Sequence, residues 1–308
     1  MDRTRGIGGS DVAALLGISP WKSALGVYLE KIGESVQEDK PHLKKGREAQ
    51  KAVLRCYEDY AETLIEKEDI EIIHPEYSFL IGNVDAVTNR GKTFVEAKTT
   101  SRGIKDWDFQ IPPYYRTQVA FYAALGNPDY VDMPVAYWFK YSEDRPEVEH
   151  FASLTYWRDE PFEKMVIDCA VDFWESHVLK RVPPEPRTLE DIRKRYAVSV
   201  DTKILATDEI KKNIQQLAEL KKRREEIERQ EDELRLNIQM FIGENSLVVD
   251  EEGRPLASFR SQNKSSVDST RLKKEHPALM EQYQKNSTVR VFKLLGKEVN
   301  HAAPTSIQ

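Results

Sequence analysis

The chain has 308 residues, 40% of them hydrophobic and 32% charged, and a formal net charge of -6. That length and composition fit one large globular domain or two. They argue against a membrane protein, since no run approaches the roughly 18 apolar residues of a spanning helix, and the acidic balance is unlike that of passive nucleic-acid binders, which are typically basic.

An acidic total still permits a local basic channel. The opening MDRTRGIGGSD carries no apolar signal region, so a cytoplasmic location is expected. The two cysteines, Cys56 and Cys169, sit in apolar helical contexts and are expected as buried free thiols. The six histidines show no zinc spacing.

Residues 1–10 are Gly-rich, and Ser10 precedes the apolar run Val12 to Leu16, closed by Gly17. This predicts a short helix with Ser10 as N-cap, and glycines ahead of a helix start suit an anion. A second helix is predicted over Ala24–Lys31, stopped at Gly33, with Trp21, Leu25, Tyr28 and Leu29 read as core rather than as stacking platforms. Residues 35–42 read as a loop. From Gly46 onward Ala49, Val53, Cys56, Tyr57 and Tyr60 recur at helical spacing, which predicts an amphipathic helix. Residues 69–81 read as a strand, a His-Pro break and a lead-in.

The stretch from Gly82 to Thr100 organises the rest. Val84, Val87, Phe94 and Val95 suit strands, and Asn89-Arg90-Gly91 is turn chemistry. An antiparallel hairpin with residues 89–92 as its loop is predicted. If Thr88 pairs with Thr93, Asp85 lies opposite Glu96. Side chains alternate along a strand, so Glu96 and Lys98 point the same way. Two close carboxylates resist ionising together, and a hard cation such as Mg²⁺ removes that penalty. Lys98 alongside could hold an attacking water or a developing phosphate charge. Asp-x10-Glu-x-Lys on a hairpin is thus a phosphodiesterase pattern, although a surface strand with a solvated Glu/Lys pair shows the same E-x-K string.

Residues 99–115 are polar and aromatic and read either as groove lining or as a plain loop. Pro112-Pro113 open a predicted helix through Leu125, stopped by Gly126, with Gln118, Phe121, Tyr122 and Leu125 on one face. Strands are predicted over 131–140 and 147–155, and a helix from Pro161 to about Leu179. Pro183-Pro184-Glu185-Pro186 ends this region. Beyond it, residues 207–242 read as a long charged helix, about 50 Å at 1.5 Å per residue. Leu220, Ile227, Leu234 and Phe241 recur in it every seven residues, while Arg224 and Glu231 interrupt the companion row. A second hairpin over Leu247–Phe259, a helix over 268–284 and a strand over Thr288–Leu295 complete the chain. Basic clusters at 193–195, 221–224, 271–274 and 290–297 could track phosphates or be solvated faces.

Three sets of residues carry a resemblance. Asp85 with Glu96-Ala97-Lys98 resembles the core of the PD-(D/E)XK nucleases. Arg3-x-x-x-Ile7-Gly8-Gly9-Ser10-Asp11 with Ala13-Ala14-Leu15-Leu16-Gly17 resembles the opening of the YqaJ/lambda-exonuclease-type viral recombinases. Gln118-x-x-x-Tyr122 resembles the motif that follows the E-x-K strand in that branch. The resemblance implies an α/β fold: a restriction-endonuclease-like core (a mixed central sheet flanked by helices) over residues 1–190, with an α+β extension and its long helix over 191–308. It implies a Mg²⁺-dependent exonuclease, Mn²⁺ substituting, that acts 5′→3′ on double-stranded DNA ends in phage-type recombination. Asp85, Glu96 and the Ala97 carbonyl would bind metal, Lys98 would position or deprotonate water, and Gln118 would assist. Arg3 and Ser10 would hold the 5′-phosphate, and Tyr122 would be structural. Gln50 stands where the family has an acid or histidine four residues after Gly46; it is a weaker metal candidate, and nearby Glu48 weaker still. Homo-oligomerisation around DNA and a single-strand annealing protein are implied partners. An endonuclease or single-strand-preferring nuclease on the same core, or an inactive DNA-end-binding module, are the alternatives.

Overall fold

A computed structural model describes residues 3–35, 41–100, 107–142, 145–284 and 289–295, of which 41–45, 138–142 and 145–147 are described by their backbone alone. The chain divides into two compact units, Met1–Arg195 and Tyr196–Gln308.

The first unit is built on a six-stranded mixed sheet: β1 Lys67–Ile73, β2 Ile81–Thr88, β3 Thr93–Val95, β4 Lys98–Thr100, β5 Tyr130–Ser142 and β6 Arg145–Trp157. β1, β2 and β3 run antiparallel in turn, β3 and β4 pair parallel with β5, and β6 returns antiparallel along it. The hairpin register is as the sequence predicts, Thr88 with Thr93. Asn89, Arg90 and Gly91 all take positive φ, so the turn asks of two ordinary residues what glycine does freely.

Four helices, α1 Gly9–Leu15, α2 Ala24–Lys31, α4 Pro113–Gly126 and α5 Glu160–Phe173, share one large apolar cluster with Val84, Val87, Phe94 and Val131 of the sheet. α3 Pro41–Ala61 forms a smaller one through Leu54 and Tyr57 against Ala86 and Val95. α5 continues into a π-helical turn, Trp174–Leu179, and α6 Leu189–Arg195 closes the unit. This is the mixed sheet flanked by helices expected of the core.

Several local expectations are corrected. Ser10 is not the N-cap of α1. Gly8 is, because the Asp11 carboxylate three residues on accepts the Gly8 N–H at 3.0 Å. α3 starts at Pro41, a residue suited to a first helical position, and Gly46 lies inside it. Gly126 is the last residue of α4 and the stop is Asn127, left-handed at φ 51°. Gly126 answers a packing need instead, since a Cβ there would meet the Phe94 ring at 2.4 Å. Leu25 and Tyr28 are buried as expected and Leu29 packs on the core, but Trp21 is 66% exposed. Cys56 and Cys169 are free, and half-buried rather than buried.

In the second unit α7 Asp208–Ile242 is the expected long helix, capped by the Thr207 hydroxyl. Leu220, Ile227, Leu234 and Phe241 are all exposed along it. β7 Leu247–Val249 and β8 Pro255–Ser258 form the hairpin. The helix expected over 268–284 is two, α8 Ser269–Glu275 and α9 Pro277–Tyr283, because Pro277 has no N–H with which to continue the first. Residues 289–295 take no regular strand pairing, and Thr288 lies outside the described residues. Among the described residues no helix is long and apolar enough to cross a membrane.

The sheet is pinned from below by Asp132 of β5. Its buried carboxylate accepts Tyr57 Oη at 2.7 Å and Thr155 Oγ1 at 2.7 Å, joining α3, β5 and β6. Tyr57→Phe leaves that carboxylate one donor short. A buried acceptor so orphaned costs about 1–3 kcal/mol, which should appear as a lower urea midpoint with an unchanged slope.

Candidate active site

The site forms where a strand is interrupted. β3 and β4 pair with β5 at the same offset, Thr93 with Tyr130 and Lys98 with Val135, so they are one strand broken at Glu96-Ala97. Across the break the Glu96 N–H still donates to the Asp132 carbonyl at 2.9 Å. The Ala97 N–H turns the other way and donates to Asp85 Oδ2 at 2.8 Å. β2 pairs with β3 as far as Ala86–Val95, while β4 pairs with β5 and not with β2. The sheet therefore opens at Asp85, and the opening collects Asp85, Glu96 and Lys98.

Glu96 is buried, with 3% of its surface exposed. Its Oε1 accepts Lys98 Nζ at 2.6 Å and Gln118 Nε2 at 2.5 Å. Its Oε2 is buried without a hydrogen-bond partner. Burial, and then repulsion from Glu96, push the Asp85 carboxyl up to about 8, against the pull of Lys98 and the Ala97 N–H. Burial also raises Glu96, against Lys98 and Gln118. Burial works to lower Lys98, but Glu96 and Asp85 outweigh it and leave the amine above its usual value, an ammonium at neutral pH. Lys98 Nζ also lies 4.8 Å from the centroid of the Tyr115 ring, within cation–π range.

Gln118 and Tyr122 back this centre. Gln118 Nε2 lies 2.9 Å from Tyr122 Oη, and burial drives the Tyr122 hydroxyl well above its usual range, so it stays neutral. The start of α1 abuts the pair. A Cβ on Gly9 would come within 2.7 Å of the Tyr122 ring and 3.2 Å of Gln118 Cγ, so that position admits only glycine without a shift. Ser10, the next residue, is exposed.

Other predicted residues stand further out. Arg3 is exposed and its guanidinium lies 3.8 Å from Glu30. It joins a charge network in which Lys22 reaches Glu30 at 2.8 Å and Lys31 reaches Asp11 at 2.7 Å. Lys31 also donates to the Arg3 carbonyl at 3.0 Å. Burial opposes the charge on Asp11, but Lys31, Lys22 and the Gly8 N–H hold its carboxyl below the usual range. Gln50 is half-buried, one helical turn past Gly46. A Cβ on Gly46 would touch Thr99 of β4 at 3.8 Å, so this side of α3 lies along the strand that follows Lys98. Glu48 is exposed. Residues 101–106 of the aromatic stretch lie outside the described residues.

Sequence reasoning missed Tyr115 as the ring beside Lys98 and Asp132 as the anchor behind Glu96. Neither lies in a motif, and only the parallel pairing with β5 and the fold of α4 bring them near.

The donor set can be asked what it would hold. A buried carboxylate with an oxygen lacking any partner, beside the half-buried carboxylate of Asp85, is a ligand set for a hard divalent cation. Mg²⁺ commonly takes one or two carboxylates and completes its shell with water and phosphate. Among the described residues no group of three or more His, Cys, Asp or Glu side chains forms a fuller cage.

Residues 1–128 match a family described as the YqaJ-like viral recombinase domain. Along 311 aligned residues, 97% of this chain and 93% of the relative, the sequence is 27% identical to YqaJ of Bacillus subtilis (strain 168). Among solved structures, an alkaline exonuclease of Laribacter hongkongensis is similar over 63% of this chain and 95% of its own, at TM-score 0.48 and 14% identity. A phage-related exonuclease of Haemophilus somnus 129PT is similar over 57% and 96%, at TM-score 0.43 and 12% identity.

The raised Asp85 carboxyl has a consequence for stability. Between its ordinary value of 3.8 and about 8, the folded protein keeps a proton that the unfolded chain has lost. Folding then takes up a proton, so stability falls as pH rises through this window, by up to about 1.4 kcal/mol per pH unit. In chelator, the wild-type melting temperature should drop from pH 5 to pH 8. Asp85→Asn, which keeps an acceptor for the Ala97 N–H, should flatten that drop and melt higher at pH 8.

Proposed function

We propose that this chain, whose residues 1–128 match the YqaJ-like viral recombinase domain, is a metal-dependent deoxyribonuclease that digests double-stranded DNA from its ends, 5′→3′, in phage-type recombination. The observation that carries the reading is the carboxylate pair with the buried, unpartnered Glu96 Oε2 beside an ammonium. Asp85 and Glu96 would hold Mg²⁺ or Mn²⁺, with the Ala97 carbonyl and Gln50 as further oxygen donors. The bound cation would supply Lewis acidity, lowering the pKa of water and offsetting charge on the phosphate.

The remaining work falls to the chain's own groups. Lys98 keeps its proton at neutral pH, which suits it to donate to the attacking water or to a phosphate oxygen rather than to act as base. Gln118 fixes the rotamer of Glu96 by donating to Oε1, and Tyr122 steadies the Gln118 amide. These are positioning residues. Ser10 and Arg3 would bind the 5′-phosphate of the strand. The close approach of Gly9 to Gln118 and Tyr122 supports this, since Ser10 is the next residue along the chain and is exposed. Arg3 would exchange its long contact with Glu30 for the phosphate. Self-association around DNA and an annealing-protein partner belong to the same reading.

End-labelled duplex is the test. Digestion should require Mg²⁺ and stop in EDTA, and Lys98→Ala should slow it at least about 100-fold. Mn²⁺ should raise the melting temperature of wild type but not of Asp85→Asn. Digestion that persists in EDTA, or at full rate in Lys98→Ala, would overturn the assignment. Ser10→Ala and Arg3→Ala should each slow digestion from ends about 10- to 100-fold, the worth of a hydrogen bond to a charged group. Nicking of a closed circle should change far less, and equal loss on both substrates would remove the 5′-phosphate role.

A further inference from the structure

Four aromatic rings from three separate segments meet beside Lys98. Trp21 lies in the loop before α2, Trp107 lies ahead of α4, and Tyr114 and Tyr115 form the first turn of α4. The Trp21 ring is 4.8 Å from Tyr114, edge to face, and 5.8 Å from Tyr115. Trp107 is 5.6 Å from Tyr115, and Tyr114 and Tyr115 are 4.6 Å apart. Tyr115 in turn carries Lys98 Nζ over its ring. The cluster therefore runs from the catalytic ammonium outward to a tryptophan in water.

This is not how a core is built. Trp21 leaves 66% of its surface exposed, while core tryptophans bury most of theirs. Unpaired nucleobases are the ligand such a surface suits. Every base presents a π-face, so stacking tolerates any sequence, as a nuclease of general action requires. Within a duplex those faces are covered by neighbouring base pairs, which leaves unpaired or terminal nucleotides as the ones able to stack. The chain's charge points the same way. At -6 overall it draws little on bulk attraction to phosphates, so a grip on the bases has more to contribute.

Resting on the nuclease reading for its substrate, we propose that Trp21, Trp107, Tyr114 and Tyr115 form a stacking shelf for the unpaired bases of the strand that enters the site. Trp21 is the outer contact, and Tyr115 the inner one that also steadies Lys98. The shelf gives the site its affinity for a single-stranded end, a property the carboxylates and Lys98 do not supply.

The test is binding of the full chain in EDTA, where metal-dependent digestion is off. The probes are a fluorescent duplex with a 5′ tail of thymidines and the same duplex with reduced abasic residues in the tail. Wild type should bind the thymidine tail about 5- to 100-fold more tightly than the abasic one, with quenching of tryptophan fluorescence. Trp21→Ala, an exposed change that leaves the core intact, should lose most of that preference, and Trp21→Phe should keep much of it. Equal affinity of wild type for both tails, or an undiminished preference in Trp21→Ala, overturns the shelf and leaves the aromatic surface to another partner, such as a protein. The two readings fail separately. Tail discrimination without Mg²⁺-dependent digestion removes the nuclease assignment, and digestion without discrimination removes the shelf.

Discussion

Two neighbouring carboxylates, Glu96 buried and Asp85 half-buried, drawn toward one ammonium set the terms for this fold. Left to itself the sheet would not choose such a pairing. Burial penalises each charge, the charges penalise one another, and a single lysine offsets only part of it. The backbone makes the arrangement possible. Breaking one strand at Glu96-Ala97 frees the Ala97 N–H to face Asp85, while the Glu96 N–H keeps the ladder to β5. A continuous strand would spend both amides on ladder pairing and give Asp85 no donor. The irregular backbone and the strained electrostatics are thus one feature, located where a reacting group needs a polar, water-poor cradle.

Around that feature the packing leaves few degrees of freedom. Glu96 Oε1 takes two donors, so its rotamer is fixed and Oε2 is directed away from them. Gln118 is held by Tyr122, and both are pressed by Gly9. Behind the sheet Asp132 ties β5 to α3 and β6 through two hydroxyls. Displacing α1 would therefore reach Glu96 through two side chains. The buried pair of Asp11 and Lys31 resists that displacement, since it locks α1 to α2 in a place where losing either partner would strand the other's charge.

The sequence made the centre legible because the hairpin is local. A turn of three residues able to take positive φ fixes the register, and strand alternation does the rest; Asp85, Glu96 and Lys98 need no long-range information. Gln118 and Tyr122 were legible only through a motif, since no periodicity says which face of α4 meets the sheet. What escaped notice came from competition and distance. Ser10 looked like the cap because hydroxyls often are, but the helix begins earlier, with Gly8 as N-cap and its N–H taken by the Asp11 carboxylate. Trp21 looked like core because tryptophan is large and apolar, and its neighbours Leu25 and Tyr28 are buried. Tyr115 is 17 residues from Lys98 in the chain, and only the path of α4 brings the ring under the amine.

The electrostatics of the whole chain add a constraint on how substrate is held. A net charge of -6 disfavours long-range capture of a polyanion. Among the described residues, Lys22 and Lys31 answer Asp11 and Glu30, and Lys98 answers Glu96. Those pairs are short-range devices that set geometry, and they project little field into solvent. A chain of this kind gains most from contacts that do not depend on net charge or on low salt. Stacking is such a contact, and a divalent ion seated between two acids is another, because each acts at van der Waals or ligand distance. The acidic total is then compatible with a nucleic-acid substrate so long as capture is local.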